Sequence, residues 1–336
     1  MDSITHIALG AIIGEAILGK QQGKRAMALG AMAQSIPDID FVASFFLDTP
    51  HSLLAHRGFT HSFLFAILIT PFVALIAKRW HPLNDTSFAK WVVFFAIQIL
   101  IHLLLDSLNA YGIGWFEPFL HLRISFNVLF VADPFYSIWL GISSFSLLLL
   151  SIKSSYRKHW IATGLLISTL YLGYAFFNKY SIDRDSQTII RKQDIFDKHY
   201  FTTPTPLNNW LWYIVVEDKK GYHIGYRSVF DRKDSIMFHY FPRNDSLLMS
   251  MTDHNDLKQL LRFSQGYYTA EQRGDTLLFN DLRFGQQAGW HDPNAKFVFH
   301  YYLKHPSENN LVVQRGRFAN WKRSTVSSLY ERIFRP

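Results

Sequence analysis

His102 and Asp106 stand four residues apart. On a helix they would share one face and offer an imidazole nitrogen and a carboxylate oxygen to a single ion. Gln98 continues that stripe one turn back. Pro37-Asp38-Ile39-Asp40 ends a helix at a proline and presents two more carboxylates. His56-Arg57-Gly58-Phe59-Thr60-His61-Ser62 places two imidazoles five residues apart across a glycine turn. His6 and Asp133 complete the set. The chain has no cysteine, which excludes disulfides, thiolate metal sites and thiol nucleophiles. His6, Asp38, Asp40, His56, His61, His102, Asp106 and Asp133 are therefore the candidate metal ligands. The plainer alternatives are a buried His–Asp hydrogen bond for the helical pair, a turn cap for Asp38 and a helix cap for Thr60.

Four histidines and four aspartates exceed the coordination of one ion, so two or three ions are expected. Mixed imidazole and carboxylate donors suit Zn²⁺, with Mn²⁺ or Fe²⁺ as alternatives. Clustered ions of this kind generate a hydroxide and clamp the oxygens of a displacement, typically in phosphoester or amide hydrolysis. In that chemistry Asp38 or Asp40 bridges ions or orients the water. Arg57 is the cation best placed to hold a phosphate in bidentate fashion. Arg123 is the runner-up, with headgroup anchoring as its competing role.

The elements that must position these residues are apolar helices. Uncharged runs cover Ser62–Ala77, Trp91–Leu105, Pro134–Ile152 and Trp160–Phe177, close to the ~20 residues a bilayer core requires. Ile4–Leu18 and Ala26–Ile36 are shorter and rich in Gly and Ala. They predict a helical hairpin in which Gly10, Ala11, Gly14 and Ala31 allow close backbone approach. Residues 1–177 carry 11 Lys/Arg and 9 Asp/Glu, against 23 and 17 in residues 178–336. The overall 49% hydrophobic fraction thus averages a membrane half and a watery half. Nine basic residues fall in three connections: Lys20, Lys24 and Arg25; Lys78, Arg79 and Lys90; Lys153, Arg157 and Lys158. With alternating helices these share the cytoplasmic side. The His/Asp set and residues 178–336 are then expected outside the cytoplasm.

At these residues the sequence resembles the inner-membrane metal-dependent hydrolases of the YdjM type. The resemblance rests on Thr5-His6, Pro37-Asp38-Ile39-Asp40, the HRGFTHS string at 56–62, and His102-x-x-x-Asp106 followed by Gly112 and Gly114. It covers roughly residues 1–180. It implies a multi-pass bacterial inner-membrane protein with a proposed hydrolase activity, with the eight residues above as ligands. The ligand order is also similar to the helical zinc-dependent phospholipases C and single-strand nucleases, which are three-zinc phosphodiesterases. This chain departs from them in lacking an N-terminal Trp.

The expected architecture is an all-α multi-pass bundle over 1–180 and an extramembrane α+β or mostly-β domain over 181–336. Strands are predicted at Trp210–Glu217, Tyr222–Phe230, Ser235–Phe241, Asp275–Asn280 and Lys296–Leu303, with a hairpin turn at Lys219-Lys220-Gly221. Asp253–Gly266 reads as a helix capped by Asp253, and Pro204-Thr205-Pro206 as the end of a linker. The expected partners are the lipid bilayer and a small-molecule or lipid phosphoester. Nucleic acid is disfavoured because no recognition motif accompanies the basic surplus. The competing functions are an ion- or proton-coupled transporter and a membrane protein with a structural metal. A transporter would place polar residues near the bilayer midplane, whereas here they gather at one side.

Overall fold

The computed structural model describes every residue except 81–85, 196–198, 233, 250, 252–254, 304–308, 310–317, 319–320 and 336. The chain forms two compact units. One comprises Met1–Phe46 and Ala55–Phe176, the other Leu47–Leu54 and Phe177–Pro336.

The first unit is helical. α1 (Ser3–Gln22) and α2 (Arg25–Gln34) precede a 3-10 segment, Pro37–Phe45. After α3 (Thr49–Ala55), whose residues belong almost wholly to the second unit, come a 3-10 turn at Phe59–His61, α4 (Phe63–Trp80), α5 (Phe88–Asp106), α6 (Pro134–Leu149) and α7 (Arg157–Lys192). Polar side chains start three of these helices: Asp2 accepts from the Thr5 amide, Ser87 from that of Lys90, and Asp133 from those of Phe135 and Tyr136. Each satisfies an amide that the helix itself leaves unpaired.

α1 and α2 form the expected hairpin, and glycine is what closes it. A Cβ on Gly30 would stand 2.0 Å from the Gly10 carbonyl oxygen, and one on Gly14 would stand 2.2 Å from that of Ala26. The partner across the seam is Gly30, not Ala31. α1 also runs a turn beyond the predicted stretch, to Gln22, so it joins α4, α5 and α7 as a helix long and apolar enough to cross a membrane; α6, with 16 residues, is shorter. Leu9, Ile12 and Ile13 pack against Leu105, Leu129 and Leu140, while Trp91, Phe94 and Phe95 pack against Leu18, Ala74 and Ala77. Outward, Ile67 and Phe72 on α4, Leu149 on α6, and Leu166 and Leu170 on α7 are all more than half exposed. A soluble surface does not leave such belts bare, and hydrocarbon is the medium that fits them.

The far end of the bundle is basic. Lys24 Nζ donates to the Leu148 carbonyl, and Arg157 Nε donates to Glu15 Oε1 at 2.8 Å. The intramembrane Glu15 is thereby paired, well away from the His/Asp set.

The second unit contains two antiparallel sheets, β1 (Tyr200–Pro204), β2 (Leu211–Glu217), β3 (Gly221–Ser228) and β4 (His239–Pro242) in that order, and β5 (Tyr268–Arg273), β6 (Thr276–Gln286) and β7 (Phe297–Tyr302). β2 is apolar on both faces because both are covered. Tyr213 and Val215 meet Leu282 and Phe297 of the other sheet, while Ile214 and Val216 meet Ile189 and Ile190 of α7. The remaining helices are α8 (Asp245–Met249), α9 (Asn255–Phe263) and α10 (Arg323–Phe334), whose Leu329 and Ile333 pack on Leu211. Two strands were not anticipated. β1 includes Pro204, which pairs with Trp212 instead of ending a linker, and β5 pairs with β6. Asp253, the expected cap of α9, lies outside the described residues.

Candidate metal centre

The ends of α2 and α5, the 3-10 segment and the Phe59–His61 turn meet at the end of the bundle opposite the basic loops. There Asp38, His61, His102 and Asp106 each bring one ligand atom into a single group. His61 Nε2 lies 3.2 Å from His102 Nε2. Asp38 Oδ1 lies 3.6 Å from each of these nitrogens, and Asp106 Oδ2 lies 3.4 and 3.5 Å from them. A tetrahedral ion with ligands at ~2.1 Å would set its donor atoms about 3.4 Å apart. These five distances stand close to that spacing, and all four atoms lie within 4.8 Å of one another.

The partners behind the ring nitrogens decide which way the lone pairs face. His102 Nδ1 lies 2.6 Å from the Gln34 carbonyl oxygen, which only accepts, so Nδ1 carries the hydrogen. His61 Nδ1 lies 3.1 Å from Asp40 Oδ2, and the carboxylate imposes the same tautomer. Both Nε2 atoms then aim lone pairs at one another across 3.2 Å. Neither can donate to the other, and a cation relieves exactly that repulsion by binding both. Asp106 Oδ2 is likewise buried, beside both nitrogens. Two facing lone pairs with a buried carboxylate oxygen beside them fit a divalent cation, and the two-nitrogen, two-oxygen donor set fits Zn²⁺ among others.

Asp40 works from behind the group. Its Oδ2 accepts from the Arg57 amide at 2.7 Å and the Thr60 hydroxyl at 3.0 Å, and its Oδ1 lies 2.9 Å from His56 Nδ1. Burial pushes its carboxyl up, but the hydrogen bonds from His56 and His61 outweigh it and hold Asp40 well below the usual carboxylate range. Asp38 is held down at about 2: burial again opposes, and the side chains of His61, His102 and Arg57 around it prevail. Burial depresses His56, against its bond to Asp40.

Arg57 sits in the left-handed region at φ 60, a conformation that costs a non-glycine residue and persists where surroundings impose it. Its amide is taken by Asp40 and its carbonyl by the Gly114 amide at 2.9 Å. Its guanidinium reaches Asp106 Oδ2 at 3.1 Å and Asn109 Oδ1 at 2.8 Å, and lies over the Tyr111 ring. Arg57 thus neutralises and orients Asp106. Arg123 donates to the His56 and Gly112 carbonyls, stitching the 107–133 connection to the HRG turn.

His6 stands on the other oxygen of Asp106: its Nε2 is 3.2 Å from Asp106 Oδ1, and its ring stacks on His102 at 3.9 Å. The Met1 ammonium pairs with the same oxygen. The structure does not bring Asp133 into the group. Its carboxylate caps α6 and accepts from Tyr171 at 2.9 Å, the ordinary work of an Asp before a proline at a helix start. Burial pushes it up to about 6, against hydrogen bonds from Tyr171, Tyr136 and Phe135. Thr60 serves Asp40, and Ser62 caps α4 through the Phe65 amide. Gln34 and Asn109 were not anticipated as site residues. Gln34 acts through its backbone, which no side-chain pattern reveals. Asn109 follows Asp106 by three residues and donates to its carbonyl, so proximity was its one signal.

The family model described as YdjM inner membrane protein matches residues 1–182. Inner membrane protein YbcI of Escherichia coli (strain K12) is 31% identical over 117 residues, 34% of this chain and 66% of the relative. Protein YfhP of Bacillus subtilis (strain 168) is 26% identical over 142 residues, 40% of this chain and 42% of the relative. The matched regions thus span less than two thirds of either relative. No solved structure gives a significant match. A helical unit with membrane-length spans, a buried Asp/His group at one of its ends, and a family match over the same residues together place this chain in the YdjM inner membrane protein family.

Proposed function

We propose that this protein is a membrane-bound, metal-dependent hydrolase acting on a phosphoester. The observation that carries the reading is the convergence of four donor atoms from Asp38, His61, His102 and Asp106 within 4.8 Å of one another. A divalent ion held there would polarise a phosphoryl oxygen and lower the pKa of a bound water. The chain's own residues do the rest. Asp40 fixes the His61 tautomer, the Gln34 carbonyl fixes that of His102, and Arg57 offsets the charge of Asp106. Such outer partners hold ligands in orientation and tune their basicity. Asp106 presents one oxygen to the group, while His6 and the Met1 ammonium hold the other and fix the carboxylate's orientation.

The distribution of nine basic residues over three connections supports an extracytoplasmic placement of the Asp/His group and of residues 178–336. A structural metal is the second reading, favoured by the fact that four protein donors already complete a closed zinc shell.

The test is elemental analysis and hydrolysis by the purified full chain in detergent. Bound zinc should be lost in His102→Ala and Asp106→Asn. Chelation should abolish, and zinc restore, turnover of a phosphodiester, phospholipid and isoprenoid-phosphate panel. Metal content unchanged in both variants refutes the site. A full metal load with no turnover on that panel refutes the enzyme and leaves the structural ion.

A further inference from the structure

We propose that the substrate enters from the bilayer, its hydrocarbon chain lying in an apolar groove along α4 and its polar head at Asp38. This rests on the hydrolase reading and supplies its substrate class: a phosphate-bearing lipid.

The groove has a volume of about 580 Å³. Phe65, Ile69 and Val73 form one wall, spaced four residues apart on α4, so they make a continuous stripe of ~12 Å. Ile36 and Ile39 form the facing wall. Its polar lining is confined to Asp38, Ser3 and Ser35. Asp38 is also the accessible member of the metal group: its side chain is 25% exposed, against 0–1% for His61, His102 and Asp106. The open side of the centre and the groove therefore coincide.

The occupant follows from the surroundings. α4 is of membrane length, and its neighbouring residues Ile67, Leu68 and Phe72 face outward, so the groove is continuous with the lipid-facing surface. Its direction also suits a lipid. His61, 3.6 Å from Asp38, precedes Phe65 by four residues and Val73 by twelve. The polar end thus lies at the start of α4, and the apolar wall runs away from it along the span. A headgroup at the membrane surface with its chain pointing inward has the same polarity.

The experiment uses the zinc-loaded full chain in lipid nanodiscs and dodecyl phosphate carrying a terminal diazirine, with cross-links mapped by mass spectrometry. Labelling should concentrate on Ile69 and Val73. It should be displaced by dodecyl phosphate and not by dodecanol. Ile69→Trp with Val73→Trp should lower it about tenfold, the worth of roughly two buried methylenes, while Leu166→Trp on the exposed face of α7 leaves it unchanged. Retained zinc content shows that the double variant is folded; Ile69→Ala with Val73→Ala, which widens the groove, should shift the cross-link position if it is not. Labelling spread evenly over the outward faces of α4 and α7, or displaced equally by dodecanol, overturns the proposal. If the groove is labelled but His102→Ala keeps its zinc, the metal-centre reading fails and the groove stands. If zinc is lost in His102→Ala but the groove is not labelled, the groove alone fails.

Discussion

Replacing Asp40 by Asn separates orientation from charge at the metal centre. An Asn whose amide oxygen takes the Oδ2 position keeps the bonds from the Arg57 amide, the Thr60 hydroxyl and His61 Nδ1. Its amino group then meets His56 Nδ1, where a change of tautomer restores a hydrogen bond. The turn survives, and the lost element is the negative charge behind His61. A hydrogen bond to a charged group is worth about 1.5–3 kcal/mol and a neutral one about 0.5–1.5, so the difference is ~1–2 kcal/mol. That corresponds to a loss of roughly 5- to 30-fold in zinc affinity, overlapping the range of about 10- to 100-fold found for partners of metal ligands. Competition against a chromophoric chelator in detergent, at fixed pH, reads it directly. Asp40→Ala should differ in kind, because it leaves the buried Arg57 amide unpaired and adds ~1–3 kcal/mol of folding destabilisation. Affinity within about twofold of wild type in Asp40→Asn would refute the idea that Asp40 tunes His61.

Glycine substitutions should split sharply by position. Gly30→Ala forces the α1–α2 seam apart and should cost a few kcal/mol, whereas Gly141→Ala, with nothing within 4 Å of its Cβ, should be neutral or stabilising by up to ~1 kcal/mol; thermal unfolding in detergent checks both. Asp133 gives a pH dependence. Its folded pKa is raised to about 6, so its contribution is fully present below the unfolded value of about 3.8 and lost as pH rises through 6, up to ~3 kcal/mol. Asp133→Asn should remove that slope, and unfolding curves of the two proteins that run parallel from about pH 4 to 7 would contradict it.

Residue type and spacing pointed to the group that converges: four of the eight named residues meet at one point, and the i, i+4 pair shares its face as helical geometry requires. The layering within the set was not legible. Asp38 and Asp40 are chemically identical and two residues apart, and only the 3-10 turn decides that one faces the group while the other stands behind His61. Asp133 was named as a ligand, but the proline after it starts α6 and its carboxylate caps that helix. The charges after Phe177 read as the end of a span, yet α7 continues to Lys192. There Ile182, Ile189 and Ile190 are buried, so an amphipathic stretch takes over from an apolar one without a break. β1 was hidden by Pro204, which sits at a strand end where a missing amide hydrogen costs little.

The glycine seam between α1 and α2 has a consequence at the far end of both helices. His102 takes its tautomer from the carbonyl of Gln34, the last residue of α2, and a Cβ added to Gly10 would press on Gln34 Cβ at 2.6 Å. The depth at which α2 sinks onto α1 therefore sets where that carbonyl stands. Residues with no side chain act as a mechanical datum for a ligand atom they never touch. A mutational scan scored on metal retention should mark Gly10, Gly14 and Gly30 alongside the histidines, and would mistake a gauge for a reagent.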